Sequence, residues 1–162
     1  MQMQPVFIGC FFYDADRTRK GEAMYSLKTS ASFDSAHFLQ GYAGKCANLH
    51  GHHWVIETEF SGEHLQSSGG CKGMLVDFSV LKQAVRNLAD SFDHALIYEK
   101  NSLQPNTAAA LLSENFHLIP VDFRPTAENF ARCFFEKLKE KGLPIDRVKV
   151  YETPDNCAVY EV

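Results

Sequence analysis

The chain has 162 residues, of which 45% are hydrophobic and 22% charged, with a formal net charge of −4. This length suits one domain with a hydrophobic core. The acidic balance argues against a general affinity for nucleic acid or anionic membrane, and no apolar run reaches the roughly 18 residues of a membrane-spanning helix. The first residues lack a secretory signal pattern, and the five cysteines follow no disulfide framework, so we expect a cytoplasmic protein.

Hydrophobic patterning predicts four strands and two helices. Strict alternation of apolar residues indicates strands, and an apolar period of 3.6 indicates helices. In chain order the predicted elements are strands 25–33 and 52–60, a helix over 78–92 with Asp77 as its N-cap, a helix from Thr126 to a stop at Gly142, and a hairpin of strands 148–153 and 157–162.

This order predicts an α+β fold, in which a four-stranded antiparallel sheet carries two helices on one face. Between the helices, residues 99–124 read as a connection with a short helix at 107–114 and a strand at 116–123. We treat residues 24–162 as one domain and 1–23 as an N-terminal extension. Because Met24 directly precedes the first strand, we hypothesise that translation starts there.

Three histidines form a candidate metal site. His50 and His52 are two residues apart, so in a strand both side chains lie on one face. His37 ends the first predicted strand, where strand pairing would bring it alongside. Three imidazoles with an open fourth position are a known ligand set for catalytic zinc. The alternative is that these are ordinary polar residues of two strands.

The thiol of Cys46, four residues before His50, has three possible roles. It could be an inert core thiol, the fourth ligand of a closed structural site, or a base or nucleophile beside an open metal. The neighbouring Gly44, Lys45 and Asn48 indicate a polar loop, which disfavours the core role. Lys45 and a nearby cation would both favour the thiolate form.

Two further acidic positions are candidates. Asp93 directly precedes His94, and a carboxylate beside an imidazole can orient the ring so that it carries protons. The alternative is that Asp93 caps the end of the helix and His94 is a surface residue. Glu152 follows Val148 and Val150 on one strand face. It is either a residue of the solvent rim or a carboxylate that accepts two hydrogen bonds from adjacent N–H groups of a guanine-like or pterin-like ring.

Six motifs together resemble one family. They are, in order, FDSAHFL, CANLHGHHW, GMLVDFSVLK, FDHALIY, PTAENFA and VYETPDNCAVY. Their order and spacing over residues 24–162 are similar to the 6-pyruvoyl-tetrahydropterin synthase superfamily. Within it the chain most resembles the bacterial 6-carboxy-5,6,7,8-tetrahydropterin synthases of queuosine biosynthesis.

The resemblance implies the tunnelling fold, a ββααββ subunit whose sheets join into an oligomeric barrel. It implies a homo-oligomer, a trimer or a dimer of trimers, with active sites between subunits. It also implies the site residues: zinc ligands His37, His50 and His52; Cys46 as base or nucleophile; Asp93 and His94 as a proton relay; Glu152 as the pterin anchor; Thr126 and Glu128 near the same pocket.

The activity implied is a lyase reaction on a small molecule. Zinc-dependent conversion of 7,8-dihydroneopterin triphosphate would give 6-carboxy-5,6,7,8-tetrahydropterin, triphosphate and acetaldehyde. The three residues between Cys46 and His50 resemble this branch, since the animal pyruvoyl enzymes carry a longer insert there. The alternatives are a 6-pyruvoyl-tetrahydropterin synthase and a non-catalytic binding protein with a closed Cys-His₃ zinc site. Lys45 and Arg124 are the candidate triphosphate contacts.

Overall fold

The computed structural model describes residues 24–162. The expectations about residues 1–23 and a start at Met24 therefore lie outside the described residues. The elements in chain order are β1 (Tyr25–His37), a short 3-10 turn (Lys45–Ala47), β2 (His50–Gly62), α1 (Phe78–Asp90), β3 (Ala95–Glu99), α2 (Pro105–Ser113), β4 (Leu118–Val121), α3 (Ala127–Glu140), β5 (Ile145–Thr153) and β6 (Asn156–Glu161).

The sheet differs from the predicted four-stranded antiparallel one. Within the described residues it has six strands, in the order β4-β3-β1-β2-β5-β6, and it is mixed. β3 runs parallel to the end of β1, and β4 runs parallel to β3, whereas the other neighbours are antiparallel. β3 and β4 have only five and four residues, too few to show a reliable period in the sequence.

The sequence predicted two helices, whereas the described chain contains three. The added helix, α2, lies in the predicted connection 99–124, close to the short helix expected at 107–114. Residues 116–123, read as one strand, contain the shorter β4. The two long helices are as predicted in place and capping: the Asp77 carboxylate accepts from the Ser79 N–H, and the Thr126 hydroxyl accepts from the Asn129 N–H.

One hydrophobic core lies between one face of the sheet and helices α1 and α3. The strands contribute Phe33 and Trp54, which stack with ring centroids 6.2 Å apart. Helix α3 contributes Phe130 and Phe134, both 0% exposed. Alternation along β1 and β2 brings their apolar residues to this face. None of the helices in the described chain is long and apolar enough to cross a membrane.

The antiparallel register between β1 and β2 places the candidate ligands together. His37 pairs with His50, and Ser35 pairs with His52, two positions along each strand. Because side chains alternate, all three imidazoles lie on the face that also buries Trp54. The three-histidine cluster is thus the polar end of the hydrophobic core.

Candidate active site

The three histidines converge on one point. Their ligand nitrogens all lie within 4.8 Å of one another, so that His37, His50 and His52 could together hold a metal ion. The Nε2 atoms of all three are buried and have no hydrogen-bond partner among the described residues. Buried polar atoms are normally satisfied, and three that converge without partners fit a cation that binds nitrogen.

Two backbone carbonyls fix the orientation of the imidazoles. The Nδ1 of His37 lies 2.7 Å from the carbonyl oxygen of Pro125, and the Nδ1 of His50 lies 2.8 Å from that of Asn48. A carbonyl only accepts, so each Nδ1 carries the proton and each Nε2 keeps a lone pair for a metal. Pattern analysis missed both groups because a backbone carbonyl leaves no mark in the sequence.

The surroundings of the cluster favour the neutral form of His37 and His52. The Trp54 ring lies 5.1 Å from the His37 ring and 5.2 Å from the His52 ring, centroid to centroid. Burial, reinforced by the other two histidines, lowers the pKa of His37 to about 4 against the opposing effect of the Pro125 carbonyl. Burial also lowers the pKa of His52. Neutral imidazoles are the form that binds metal.

The structure brings Glu152 next to this cluster. Its Oε1 lies 3.7 Å from the Nε2 of His37 and 3.6 Å from the Nε2 of His52. Glu152 follows the buried Val148 and Val150 on the same face of β5, and its side chain keeps 33% exposure. A half-exposed carboxylate at the rim of a buried cluster can meet a ligand that enters from solvent.

Cys46 lies outside the group of converging ligand atoms. It occupies the 3-10 turn before β2, with its carbonyl accepting from the Leu39 N–H at 2.8 Å. It is a free, half-buried cysteine. The cluster of converging ligand atoms among residues 24–162 consists of imidazoles alone, without the sulfur that a closed Cys-His₃ site requires.

Asp93 and His94 form a second polar group. The Asp93 carboxylate accepts from the backbone N–H of Asp34 at 2.8 Å and contacts the Nδ1 of His94 at 2.7 Å. These hydrogen bonds lower the pKa of Asp93, and the contact with Asp93 raises the pKa of His94. The His94 backbone has a φ of 50°, and its N–H donates to the Asp34 carbonyl at 2.7 Å. The pair is therefore anchored on β1.

A cavity of about 680 Å³ lies beside the second group, where Asp34, His53 and His94 line it. Because side chains alternate along a strand, Asp34 and His53 lie on the face opposite the three-histidine cluster. The remaining candidates have more peripheral positions. Thr126 caps α3 and directly follows Pro125, whose carbonyl orients His37. Glu128 is exposed in the first turn of α3. The Arg124 guanidinium donates to the Gln40 carbonyl.

Comparison with known proteins gives the class of this chain. A family model described as 6-pyruvoyl tetrahydropterin synthase matches residues 26–162. The chain therefore belongs to the 6-pyruvoyl tetrahydropterin synthase family.

Among its relatives is the protein named 6-carboxy-5,6,7,8-tetrahydropterin synthase from Haemophilus influenzae, which is 40% identical over 141 residues, covering 85% of this chain and 99% of that protein. A protein of the same name from a Synechocystis species is 31% identical over 139 residues, covering 85% of this chain and 93% of that protein.

Solved structures show the same fold. Plasmodium vivax 6-pyruvoyl tetrahydropterin synthase superimposes with a TM-score of 0.66 at 19% identity, covering 87% of this chain and 99% of that one. The Caenorhabditis elegans 6-pyruvoyl tetrahydropterin synthase gives a TM-score of 0.60 at 25% identity, covering 87% and 97%. These likenesses confirm the predicted α+β class and support the tunnelling fold of the subunit, whereas the four-stranded antiparallel sheet and the ββααββ order were wrong.

The metal-free protein should lose stability as the pH falls from 6.5 towards 4. The unfolded chain protonates His37 near its ordinary pKa of 6.5, whereas the folded protein does so only near 4. Between these two pH values the unfolded state binds more protons than the folded state. The contribution of neutral His37 to the free energy of unfolding is therefore complete above pH 6.5 and is lost progressively as the pH falls towards 4. We expect the free energy of unfolding to fall by roughly 1–3 kcal/mol between pH 7 and 4.5, measured by urea unfolding with a chelator present.

The variant His37→Gln should lack this part of the pH dependence. The matched control His64→Gln removes a histidine whose side chain is 92% exposed and should keep the wild-type slope. Equal slopes for wild type and His37→Gln would contradict the buried, neutral state of His37.

Proposed function

We propose that the chain is a zinc-dependent lyase that converts 7,8-dihydroneopterin triphosphate to 6-carboxy-5,6,7,8-tetrahydropterin, releasing triphosphate and acetaldehyde, as in queuosine biosynthesis. The observation that carries the proposal is the convergence of three unpartnered Nε2 atoms beside a carboxylate. The 40% identity to the Haemophilus influenzae protein of that name supports the same activity.

The proposed zinc ligands are His37, His50 and His52. The all-nitrogen set, with Nδ1 protons held by carbonyls on two of the three rings, suits zinc. Zinc, when bound, supplies Lewis-acid polarisation of the hydroxyls on the substrate side chain. Three imidazoles would hold the ion without a fourth protein ligand, so that substrate oxygens could bind it.

The proposed proton carriers are Cys46 and the Asp93–His94 pair. Cys46 is half-buried in a turn that leads directly into β2, and no ligand role competes for its sulfur in the described cluster. As base it would remove a proton from the substrate side chain. The Asp93 carboxylate holds the Nδ1 of His94 at 2.7 Å, which leaves Nε2 of His94 to exchange protons with the substrate.

Glu152 is the proposed anchor of the pterin ring. A carboxylate can accept two parallel hydrogen bonds from the 2-amino group and the adjacent ring N–H of a pterin. Its position 3.6 Å from the Nε2 of His52 would hold the ring close to the metal. Thr126 and Glu128 would lie near the same end of the pterin, since Thr126 directly follows Pro125, whose carbonyl contacts His37. Lys45 and Arg124 remain the proposed triphosphate contacts.

The proposed assembly is a homo-oligomer, a trimer or a dimer of trimers, with active sites between subunits. Two sheet edges support it. Within the described residues, the strand β6 pairs only with β5, and β1 pairs with β3 only through Ser35–His37, so the preceding part of β1 has one free edge. Long unpaired edges normally pair or are covered. Joining these edges around an axis would close the sheets into a barrel.

Purified protein loaded with zinc should release one acetaldehyde per 7,8-dihydroneopterin triphosphate consumed. Trapping the aldehyde with a hydrazine and separating the pterin products by chromatography measures both. A 6-pyruvoyl product without acetaldehyde would replace the proposal by pyruvoyl synthase activity. Absence of turnover of either kind would favour the non-catalytic binding protein.

The variant Cys46→Ala should keep its zinc and its fold but lose turnover by about 100-fold or more, because it removes a proton-transferring group and no ligand. Zinc content is measured by mass spectrometry of the metal and turnover by the same aldehyde assay. Cys157→Ala, at an exposed cysteine, is the matched control and should retain activity. Loss of zinc from Cys46→Ala would instead support a closed Cys-His₃ site.

A further inference from the structure

The loop before helix α3 holds the carbonyl that orients His37. The Nδ1 of His37 lies 2.7 Å from the Pro125 carbonyl oxygen, and the His37 side chain is only 1% exposed. His37 belongs to β1, whereas Pro125 lies 88 residues further along the chain. The position of this carbonyl, and with it the direction of the His37 Nε2, therefore depends on what holds the loop in place.

One planar peptide group directs the Pro125 carbonyl. The Thr126 N–H belongs to the same trans peptide group as this carbonyl, and the two point in opposite directions. The Thr126 N–H donates to the Arg124 carbonyl at 2.8 Å, which is the hydrogen bond of a γ-turn centred on Pro125. Proline fixes its own φ, so this hydrogen bond sets the remaining torsion, ψ of Pro125. Because the N–H is held towards Arg124, the Pro125 carbonyl is directed the opposite way, to His37.

The side chain of Asn129 holds the acceptor of this turn. Its Nδ2 donates to the Arg124 carbonyl at 3.0 Å. The Arg124 carbonyl thus accepts two hydrogen bonds, one from the Thr126 N–H and one from Asn129, which occupy both of its lone pairs. Asn129 is half-buried in the first turn of α3, a helix that packs on the hydrophobic core. Its amide therefore joins the loop to a rigid element of the fold.

The start of α3 differs from the usual capping box. Asn129 is the third residue of the helix, after the N-cap Thr126. This position often carries Glu or Gln, whose side chain accepts from the backbone N–H of the N-cap residue. In this chain the Thr126 N–H donates to the Arg124 carbonyl instead, and the Asn129 side chain donates to the same oxygen. The Thr126 hydroxyl already caps the helix by accepting from the Asn129 N–H, so the Asn129 side chain serves the loop rather than the helix.

We propose that Asn129 is a positioning residue for the metal ligand His37, which it orients through the backbone of Arg124 and Pro125. This inference rests on the proposed function, since it assumes that the three-histidine cluster binds zinc. Removal of a group that orients a ligating imidazole typically weakens metal binding by roughly 10- to 100-fold. Asn129 acts one step further from the metal than the Pro125 carbonyl, so we expect an effect near the lower limit of this range.

The variant Asn129→Asp tests the proposal through zinc affinity. It keeps the size of the side chain but removes the donor, and its carboxylate repels the Arg124 carbonyl. A negative charge in the first turn favours the helix, which offsets the lost hydrogen bond in the stability of the metal-free protein. We expect the Kd for zinc to rise about 10-fold, measured by competition with a chromophoric chelator, with little change in the Tm of the metal-free protein.

Asn87→Asp is the matched control, because it makes the same chemical change on another helix. Asn87 is exposed in the last turn of α1, where its side chain accepts from Gln83. A negative charge at the end of a helix is unfavourable, so this variant should lower the Tm and leave the Kd for zinc unchanged. Visible absorption of the cobalt(II)-loaded protein reports the arrangement of the ligands. Its spectrum should change in Asn129→Asp and match that of wild type in Asn87→Asp.

Equal Kd values for zinc in wild type and Asn129→Asp would overturn the proposal. So would an equally raised Kd in Asn87→Asp, because zinc affinity would then follow general stability. These measurements use no substrate, so in either case only the role of Asn129 fails and the proposed turnover is unaffected. A wild type that binds zinc with the expected dependence on Asn129 but converts no pterin would remove the proposed function and leave the positioning role. Absence of zinc binding by wild type would remove both.

Discussion

Three imidazole nitrogens that converge on one buried point, without hydrogen-bond partners among the described residues, are the constraint on which the site depends. The β1–β2 register brings His37 and His50 opposite each other, and alternation adds His52 to the same face. The Pro125 and Asn48 carbonyls accept hydrogen bonds from the Nδ1–H groups of His37 and His50, so the Nε2 atoms of these two rings are left as acceptors without donors. The fold thereby creates an electron-rich pocket that a cation satisfies.

This arrangement is costly without a metal. A buried acceptor without a partner costs on the order of 1–3 kcal/mol relative to the same group in water. A metal ion that binds only the folded state would offset this cost. The aromatic core around Phe33, Trp54 and Phe130 supplies rigidity, because His37 and His52 both pack directly against Trp54. The polar cluster is positioned by this aromatic packing, which limits its freedom to rearrange.

The end of β1 organises both halves of the site. Its inward-facing residues include His37, whereas the backbone of Asp34 binds the Asp93 carboxylate and the His94 N–H. The Asp34 side chain contacts the Nδ1 of His53, at 2.9 Å, on the opposite face of the sheet from the cluster. One strand end therefore couples the position of the three-histidine cluster to that of the Asp93–His94 pair, and a shift of this strand would disturb both.

Much of the fold and of the histidine cluster could be predicted from the sequence, because both depend on local periodicity. The His50–His52 spacing, the alternating strands and the Asp77 and Thr126 caps are signals within a few residues. The parallel strands β3 and β4 could not be predicted, since each is short and its pairing depends on distant residues. The two orienting carbonyls arise only from the folded chain.

The most direct test is the zinc K-edge X-ray absorption spectrum of the zinc-loaded full chain without substrate. We predict a first shell of nitrogen and oxygen scatterers only, at about 2.0–2.1 Å, with the multiple-scattering signature of three imidazoles. A sulfur scatterer at about 2.3 Å would place Cys46 on the ion and contradict an open site built from His37, His50 and His52.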